Sequence, residues 1–270
     1  MNDAAIALES FAKQTCGRAC VMPPIQPVVL DVYKQSFTAF VGGAADKYQF
    51  LGRPLNIDFP DDIGAGPTGI MKSCMRKFKE ASSSQITKAK FEYYGYEESY
   101  STDSVVKRYR GKLLLNLLTD IKNILKEEPN TQINLVGHSL GGWNVAGLSE
   151  ELSKAKICTV HTLITIDPVG ILLSKSGVGN DRARIYYLEP DPVAKKWINI
   201  FSQPLKNYRD DYIAILGGRW NDDDTAKANF NSVSTYHHGQ ASEMFFEKKF
   251  LENKISASDL LISELKKVIK

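Results

Sequence analysis

Short apolar runs alternate along this chain with longer stretches whose apolar residues recur every three or four positions. Residues 36–41 read as a buried strand ending at Gly42-Gly43, and residues 90–96 as the next strand. Residues 133–136, 161–166 and 184–188 complete the strand pattern. The clearest helical stripe is Val106, Tyr109, Leu113, Leu117, Ile121 and Ile124. It predicts a helix over 104–127, capped by Asp103 or Thr102 and stopped by Pro129. Residues 140–152 form a further helix, and an amphipathic helix with a basic end starts near Ser258. Strands that alternate with helices predict an α/β fold with a mostly parallel central sheet covered by helices on both faces. Residues 51–85 read as one long irregular stretch, and a loop of that length in a compact domain is usually functional.

With 270 residues the chain can bury a large core in one domain. Residues 1–27 read as an N-terminal extension, because Pro23, Pro24 and Pro27 favour an extended segment, and 28–270 read as a single domain. The net charge of +3 gives no reason to expect nucleic acid, though it permits association with an anionic membrane surface. No apolar run is long enough for a transmembrane helix, and the first residues lack the basic start and apolar core of a signal peptide. The expectation is a cytoplasmic location in the producing cell, or export by a route independent of a signal peptide. Cys16, Cys20, Cys74 and Cys158 make no zinc spacing, so neither metal nor cofactor is expected. Cys158 reads as a small core residue, and Cys16 with Cys20 could form a disulfide.

Chemistry enters at Gly137-His138-Ser139-Leu140-Gly141, which joins the 133–136 strand directly to the 140–152 helix. A glycine–x–serine–x–glycine pattern is weak by itself. Between a strand and a helix it predicts a turn so tight that the serine is strained and its hydroxyl projects above the sheet. The glycines leave room for the neighbouring strand and helix. The Leu140 N–H, at the helix N-terminus, points to the same space and can stabilise an oxyanion. His138 reads as a residue that packs beside the serine or supports the reacting residues from behind.

A serine hydroxyl needs a histidine base, and the imidazolium needs a carboxylate. Of the four histidines, His138 adjoins the serine and His161 comes too early in the chain, which leaves His237 and His238, with His238 ahead. Asp167 and Asp191 compete for the acid. Asp167 ends a strongly apolar strand, which places it at the carboxyl edge of the sheet, where sites form. Asp191 follows residues 185–188 and also reads as an acidic turn.

Val136-Gly137-His138-Ser139-Leu140-Gly141-Gly142, followed by Leu163-Ile164-Thr165-Ile166-Asp167-Pro168-Val169, resembles the lipase-type α/β hydrolases. The residues from Phe40 to Lys47, Trp197 to Ile200 and Ile213 to Asn221 resemble blocks of a bacterial group of lipase-like hydrolases that includes type VI secretion effectors. Together these blocks span roughly residues 37–246. In that group the histidine precedes a methionine by six residues, as His238 precedes Met244. The resemblance implies an α/β-hydrolase fold and a Ser139–Asp167–His238 triad. It also implies that Gly42 or Gly43, with Gly43 taken here, supplies a second oxyanion N–H beside Leu140.

A triad of this kind implies attack on an acyl carbonyl, an acyl-enzyme and hydrolysis by water. The resemblance implies a lipid ester as substrate, so a lipase or phospholipase. Two apolar segments could form a lid or acyl groove: Phe59, Ile63, Ile70 and Met71, and Val169 to Leu173. The alternatives are a soluble carboxylesterase or thioesterase for small acyl substrates, and a hydrolase fold that binds without turnover. A secreted antibacterial toxin of this kind would require an inhibitory immunity protein in the producing cell.

Overall fold

The computed structural model describes residues 32–44, 46–47, 69–86, 88–100, 108–109, 112–113, 115–170, 185–186, 188–217 and 227–268. They fall in one unit, Val32–Lys270. Its frame is a six-stranded sheet of β1 (Gln35–Gly42), β2 (Ala89–Gly95), β5 (Thr131–His138), β6 (Val160–Ile166), β7 (Ala194–Ser202) and β8 (Phe230–Ser234). The strand order is β2-β1-β5-β6-β7-β8, and every neighbouring pair is parallel. A separate two-residue hairpin pairs β3 (Arg108–Tyr109) with β4 (Lys112–Leu113).

Alternation along the strands feeds two cores. Phe37, Ala39 and Val41 of β1 and Leu135 of β5 pack on one face. They meet α3 (Leu117–Glu127) and α4 (Leu140–Lys154) there, through Leu117, Ile121, Val145 and Leu148. Phe40, Val136, Ile164 and Ile198 face the other way. There they meet α1 (Ile70–Ser82), α6 (Ala241–Phe246) and α7 (Ala257–Leu265), through Phe78, Phe245 and Leu261. Side chains two apart share a face, so a strand buried on both sides reads as a continuous apolar run. Two further helices, α2 (Tyr96–Ser99) and α5 (Arg209–Gly217), follow the carboxyl ends of β2 and β7.

The all-parallel sheet, its strand order and the strand–turn–helix at Ser139 are those of the α/β-hydrolase fold. Three elements depart from the sequence reading. The helix expected over 104–127 starts at Leu117, where the Asn116 side chain accepts the Thr119 N–H. Arg108–Tyr109 and Lys112–Leu113 instead pair as a hairpin, a geometry that their apolar spacing could not separate from a helical stripe. Residues 70–82 are helical, within a stretch read as irregular, and Met71 is a core residue of that helix. Ile185 and Tyr186 belong to no strand; the strand after β6 is β7. Their apolar character comes from packing against the α4 side of the sheet. Among the described residues no helix is long and apolar enough to cross a membrane. The expected N-terminal extension, with Cys16 and Cys20, lies outside the described residues, as do Phe59, Ile63 and residues 171–173.

Candidate active site

Parallel strands put all their carboxyl ends on one edge, and the residue or loop after each end can contribute to a single site. Gly43 follows β1, Ser139 follows β5, Asp167 follows β6, and His238 lies four residues beyond β8. Chain order reverses between β1 and β5, and Gly43 and Ser139 face each other across that crevice.

Ser139 sits in the turn predicted for it, with φ 58° and ψ −130°, a region that L side chains rarely occupy. Three backbone hydrogen bonds hold it there. Its N–H donates to Ile166 O at 3.1 Å, and its carbonyl accepts the N–H groups of Trp143 and Val169. The two glycines of the motif are needed for space. A Cβ on Gly141 would lie 2.5 Å from Gly42 O, and one on Gly137 would lie 2.5 Å from Gly141 O.

The Ser139 hydroxyl donates to His238 Nε2 at 2.9 Å, and His238 Nδ1–H donates to Asp167 Oδ2 at 2.7 Å. All three residues are buried, and Asp167 is fully so. The second Asp167 oxygen accepts the Ser202 N–H at 3.1 Å, and the Asp167 N–H donates to Ile200 O. The structure therefore brings Ser139, His238 and Asp167 into one hydrogen-bonded row. Asp191 is elsewhere. It precedes β7 at the amino edge of the sheet, largely exposed and paired with Lys227. Its expected place after a strand fails because Ile185, Tyr186 and Leu188 belong to none. His237 also stays outside the row, with its ring stacked on Tyr208 at 4.0 Å.

Leu140 is the first residue of α4, so its N–H has no acceptor within the helix. Gly43 runs close against the serine: a Cβ there would lie 2.6 Å from Ser139 Cβ and 3.0 Å from its Oγ. Leu140 and Gly43 thus flank the hydroxyl with backbone rather than side chain. The loop after Gly43 is tied down by Asp46, whose carboxylate accepts the N–H groups of Ile70 and Met71 and the Tyr93 hydroxyl. Burial pushes the Asp46 carboxyl above its ordinary range despite those bonds.

Three residues around His238 were not singled out for the site by the sequence. Asp211 accepts the His238 N–H at 2.8 Å, Asp210 accepts the Gly239 N–H at 2.6 Å, and Ser202 donates to Tyr236 O at 2.7 Å. An aspartate pair opening a helix looks in sequence like ordinary helix-start composition, so no signal separated it. His138, read as packing beside the serine or supporting the site from behind, donates its Nε2–H to the His238 carbonyl at 2.8 Å. Burial, with the neighbouring His238 ring, holds the His138 imidazole down to about 3 and so neutral. Among the described residues Asp210, Asp211 and His237 bring three possible metal-ligand atoms within 4.8 Å of one another. The two carboxylates are already engaged by the backbone of the His238 turn. Cys158 is half-buried against the core, and burial pushes its thiol up to about 11, which disfavours the thiolate.

No family model matches the sequence, and no curated protein matches it. The chain is similar in structure to the NocB thioesterase domain from the nocardicin cluster, with 11% identity over 87% of this chain and 94% of that one, at a TM-score of 0.43. It is also similar to carboxyl esterase 2 from the mycorrhizal fungus Tuber melanosporum, with 12% identity over 89% and 80% of the two chains and a TM-score of 0.46. A thermostable esterase from Pseudomonas putida shows 11% identity over 91% of this chain and 77% of its own, at a TM-score of 0.43.

Proposed function

We propose that this protein is a serine hydrolase that cleaves carboxylic esters of lipids through an acyl-enzyme. The observation that carries the reading is the buried row from Asp167 through His238 to Ser139, with hydrogen bonds of 2.7 and 2.9 Å, ending on a serine strained at a strand–helix turn. In this mechanism the Ser139 Oγ attacks the acyl carbonyl as His238 Nε2 takes its proton. Asp167 stabilises the imidazolium through Nδ1–H. The tetrahedral oxyanion is met by the N–H groups of Leu140 and Gly43. As the carbon–oxygen bond to the leaving alcohol breaks, His238 returns the proton to that oxygen. Water, deprotonated by the same imidazole, then releases the acid and regenerates the hydroxyl.

A lipid substrate is supported by the surface beside the His238 turn. Tyr208, just before α5, and Tyr212 and Ile215 on it recur at helical spacing and stand half or more exposed, and Leu205 before them is almost fully exposed. The carboxylates of Asp210 and Asp211 turn inward to the His238 turn, so they do not oppose an anionic surface. Tyrosines with aliphatic neighbours suit the boundary between lipid and water. Ile70, Met71 and Val169, expected as groove or lid residues, pack in the core or are buried, and so do not support the reading.

Delivery as an antibacterial effector with an immunity partner rests on the sequence resemblance alone, and is proposed on that basis. It predicts that expression in a bacterial periplasm is toxic and that Ser139→Ala abolishes the toxicity.

The test of the activity is hydrolysis of a fluorogenic phospholipid in vesicles beside a short-chain nitrophenyl ester, with wild type and Ser139→Ala. Ser139-dependent turnover of both, with phospholipid preferred, is the expected result. Ester turnover without phospholipid turnover would replace the lipid reading by a small-ester esterase, and no Ser139-dependent turnover of either would overturn the enzyme reading.

A further inference from the structure

The base of such a site must be held to within a fraction of an ångström, yet His238 lies in a turn beyond the last strand of the sheet. Its peptide is fixed on both sides. The His238 N–H donates to Asp211 Oδ1 at 2.8 Å, and the His238 carbonyl accepts from His138 Nε2–H at 2.8 Å. Asp211 is itself buried and braced, since its other oxygen accepts the Tyr208 N–H at 2.8 Å.

His138 is covalently next to Ser139. One peptide link and one hydrogen bond therefore set the spacing of base and nucleophile, independently of the hydrogen bond between them. The two imidazoles lie face to face at a tilt, with centroids 4.6 Å apart.

A second observation marks His138 as more than packing. Because a carbonyl can only accept, Nε2 carries the proton and Nδ1 is left as a bare acceptor. That Nδ1 is buried and has no hydrogen-bond partner among the described residues. A buried polar atom without a partner is destabilising, and an apolar ring would fill the space without that cost. A residue that costs stability is expected where function requires it.

We infer that His138 and Asp211 are positioning residues that clamp the peptide of His238 from its two sides and so set its imidazole between Ser139 and Asp167. The inference rests on the serine-hydrolase reading above. A neutral His138 also suits the role, because it adds no positive charge against the imidazolium that forms on His238.

The experiment compares the full chain with His138→Phe, His138→Gln and Asp211→Ala. It reads Tm, kcat and KM on a nitrophenyl ester, and the rate of inactivation by a fluorophosphonate. Phenylalanine keeps the ring and removes the donor, whereas glutamine restores an N–H to the same carbonyl. The expected result for His138→Phe is a Tm at or above wild type, kcat lower by about 10- to 100-fold, KM within about twofold, and inactivation slowed in step with kcat. His138→Gln recovers to within about fivefold of wild type, and Asp211→Ala loses kcat with KM unchanged.

A folded His138→Phe that keeps kcat and inactivation within about threefold of wild type overturns the inference. So does equal loss in the Phe and Gln variants accompanied by a fall in Tm, which marks a packing role. Should His138→Phe fail to fold, the kcat and KM of Asp211→Ala decide by the same criteria. Failure of the underlying reading has a separate signature: wild type would then show no labelling that depends on Ser139.

Discussion

Replacing Gly43 by alanine tests whether the loop after β1 supplies part of the oxyanion site. Glycine φ in the left-handed region occurs, among the described glycines, only at Gly69, so the backbone at residue 43 accepts an alanine without strain. The obstacle is contact. The added Cβ would lie 2.6 Å from Ser139 Cβ, 3.0 Å from Ser139 Oγ and 3.3 Å from His138 O. Ser139 cannot yield, because its N–H and carbonyl are held by Ile166, Trp143 and Val169. The Gly43 loop must therefore withdraw by about 1 Å to restore van der Waals distance. That carries its N–H out of reach of an oxyanion above Ser139. Loss of one such donor costs about 10²- to 10³-fold in kcat, or about 3–4 kcal/mol of transition-state stabilisation. The assay is steady-state hydrolysis of a nitrophenyl ester, with circular dichroism confirming the fold. A folded Gly43→Ala protein whose kcat stays within about threefold of wild type would show that this N–H plays no part, and the two-donor oxyanion site would be wrong.

Three other perturbations follow from the same structure. Ser139→Gly removes a side chain from a backbone at φ 58°, relieving about 1–3 kcal/mol of strain against about 0.5–1 kcal/mol for the freer unfolded chain. Thermal unfolding should show a Tm raised by a few degrees in an inactive protein, and a lower Tm would refute the strain. Asp167→Asn presents an amide N–H to His238 Nδ1 if its oxygen keeps the Ser202 N–H, so the imidazole carries its proton on the wrong nitrogen. We expect kcat to drop about 10³- to 10⁴-fold at unchanged fold, measured as single-turnover acylation, and a drop of less than tenfold would argue against Asp167 as the acid. Burial raises the Glu264 carboxyl, but hydrogen bonds from Lys196, Lys267 and His161 outweigh it and bring the group down to about 2. A carboxyl depressed in the folded state stabilises above its unfolded range and loses that contribution as pH falls, here from about 4.5 towards 2. Urea titrations across this window should show a shallower acid limb for Glu264→Gln than for wild type, and parallel limbs would refute the assignment.

Much of this architecture was open to local reasoning, for identifiable causes. β1, β5 and β6 are buried on both faces, so they read as unbroken apolar runs, and Ser139 was legible because the strand–turn–helix around it is local. Asp167 was legible as a candidate because an apolar strand that ends on a carboxylate must leave it at the carboxyl edge. Where apolar spacing fits two geometries, local pattern failed: Arg108–Tyr109 pairs with Lys112–Leu113 as antiparallel strands rather than continuing a helix, and residues 185–186 pack without joining the sheet.

The sequence by itself determined the buried strands β1, β5 and β6, the helix after Ser139, the strained serine and the short set of residues able to serve it, since each depends on neighbours a few positions away. Tertiary structure alone decided which histidine and which aspartate complete the row. Ser139 and His238 are 99 positions apart and Asp167 and His238 are 71 apart, and only the sheet order brings them to one edge. It alone also tied Asp211 and His138 to the two sides of the His238 peptide, because those bonds end on backbone atoms, whose positions no side-chain pattern encodes.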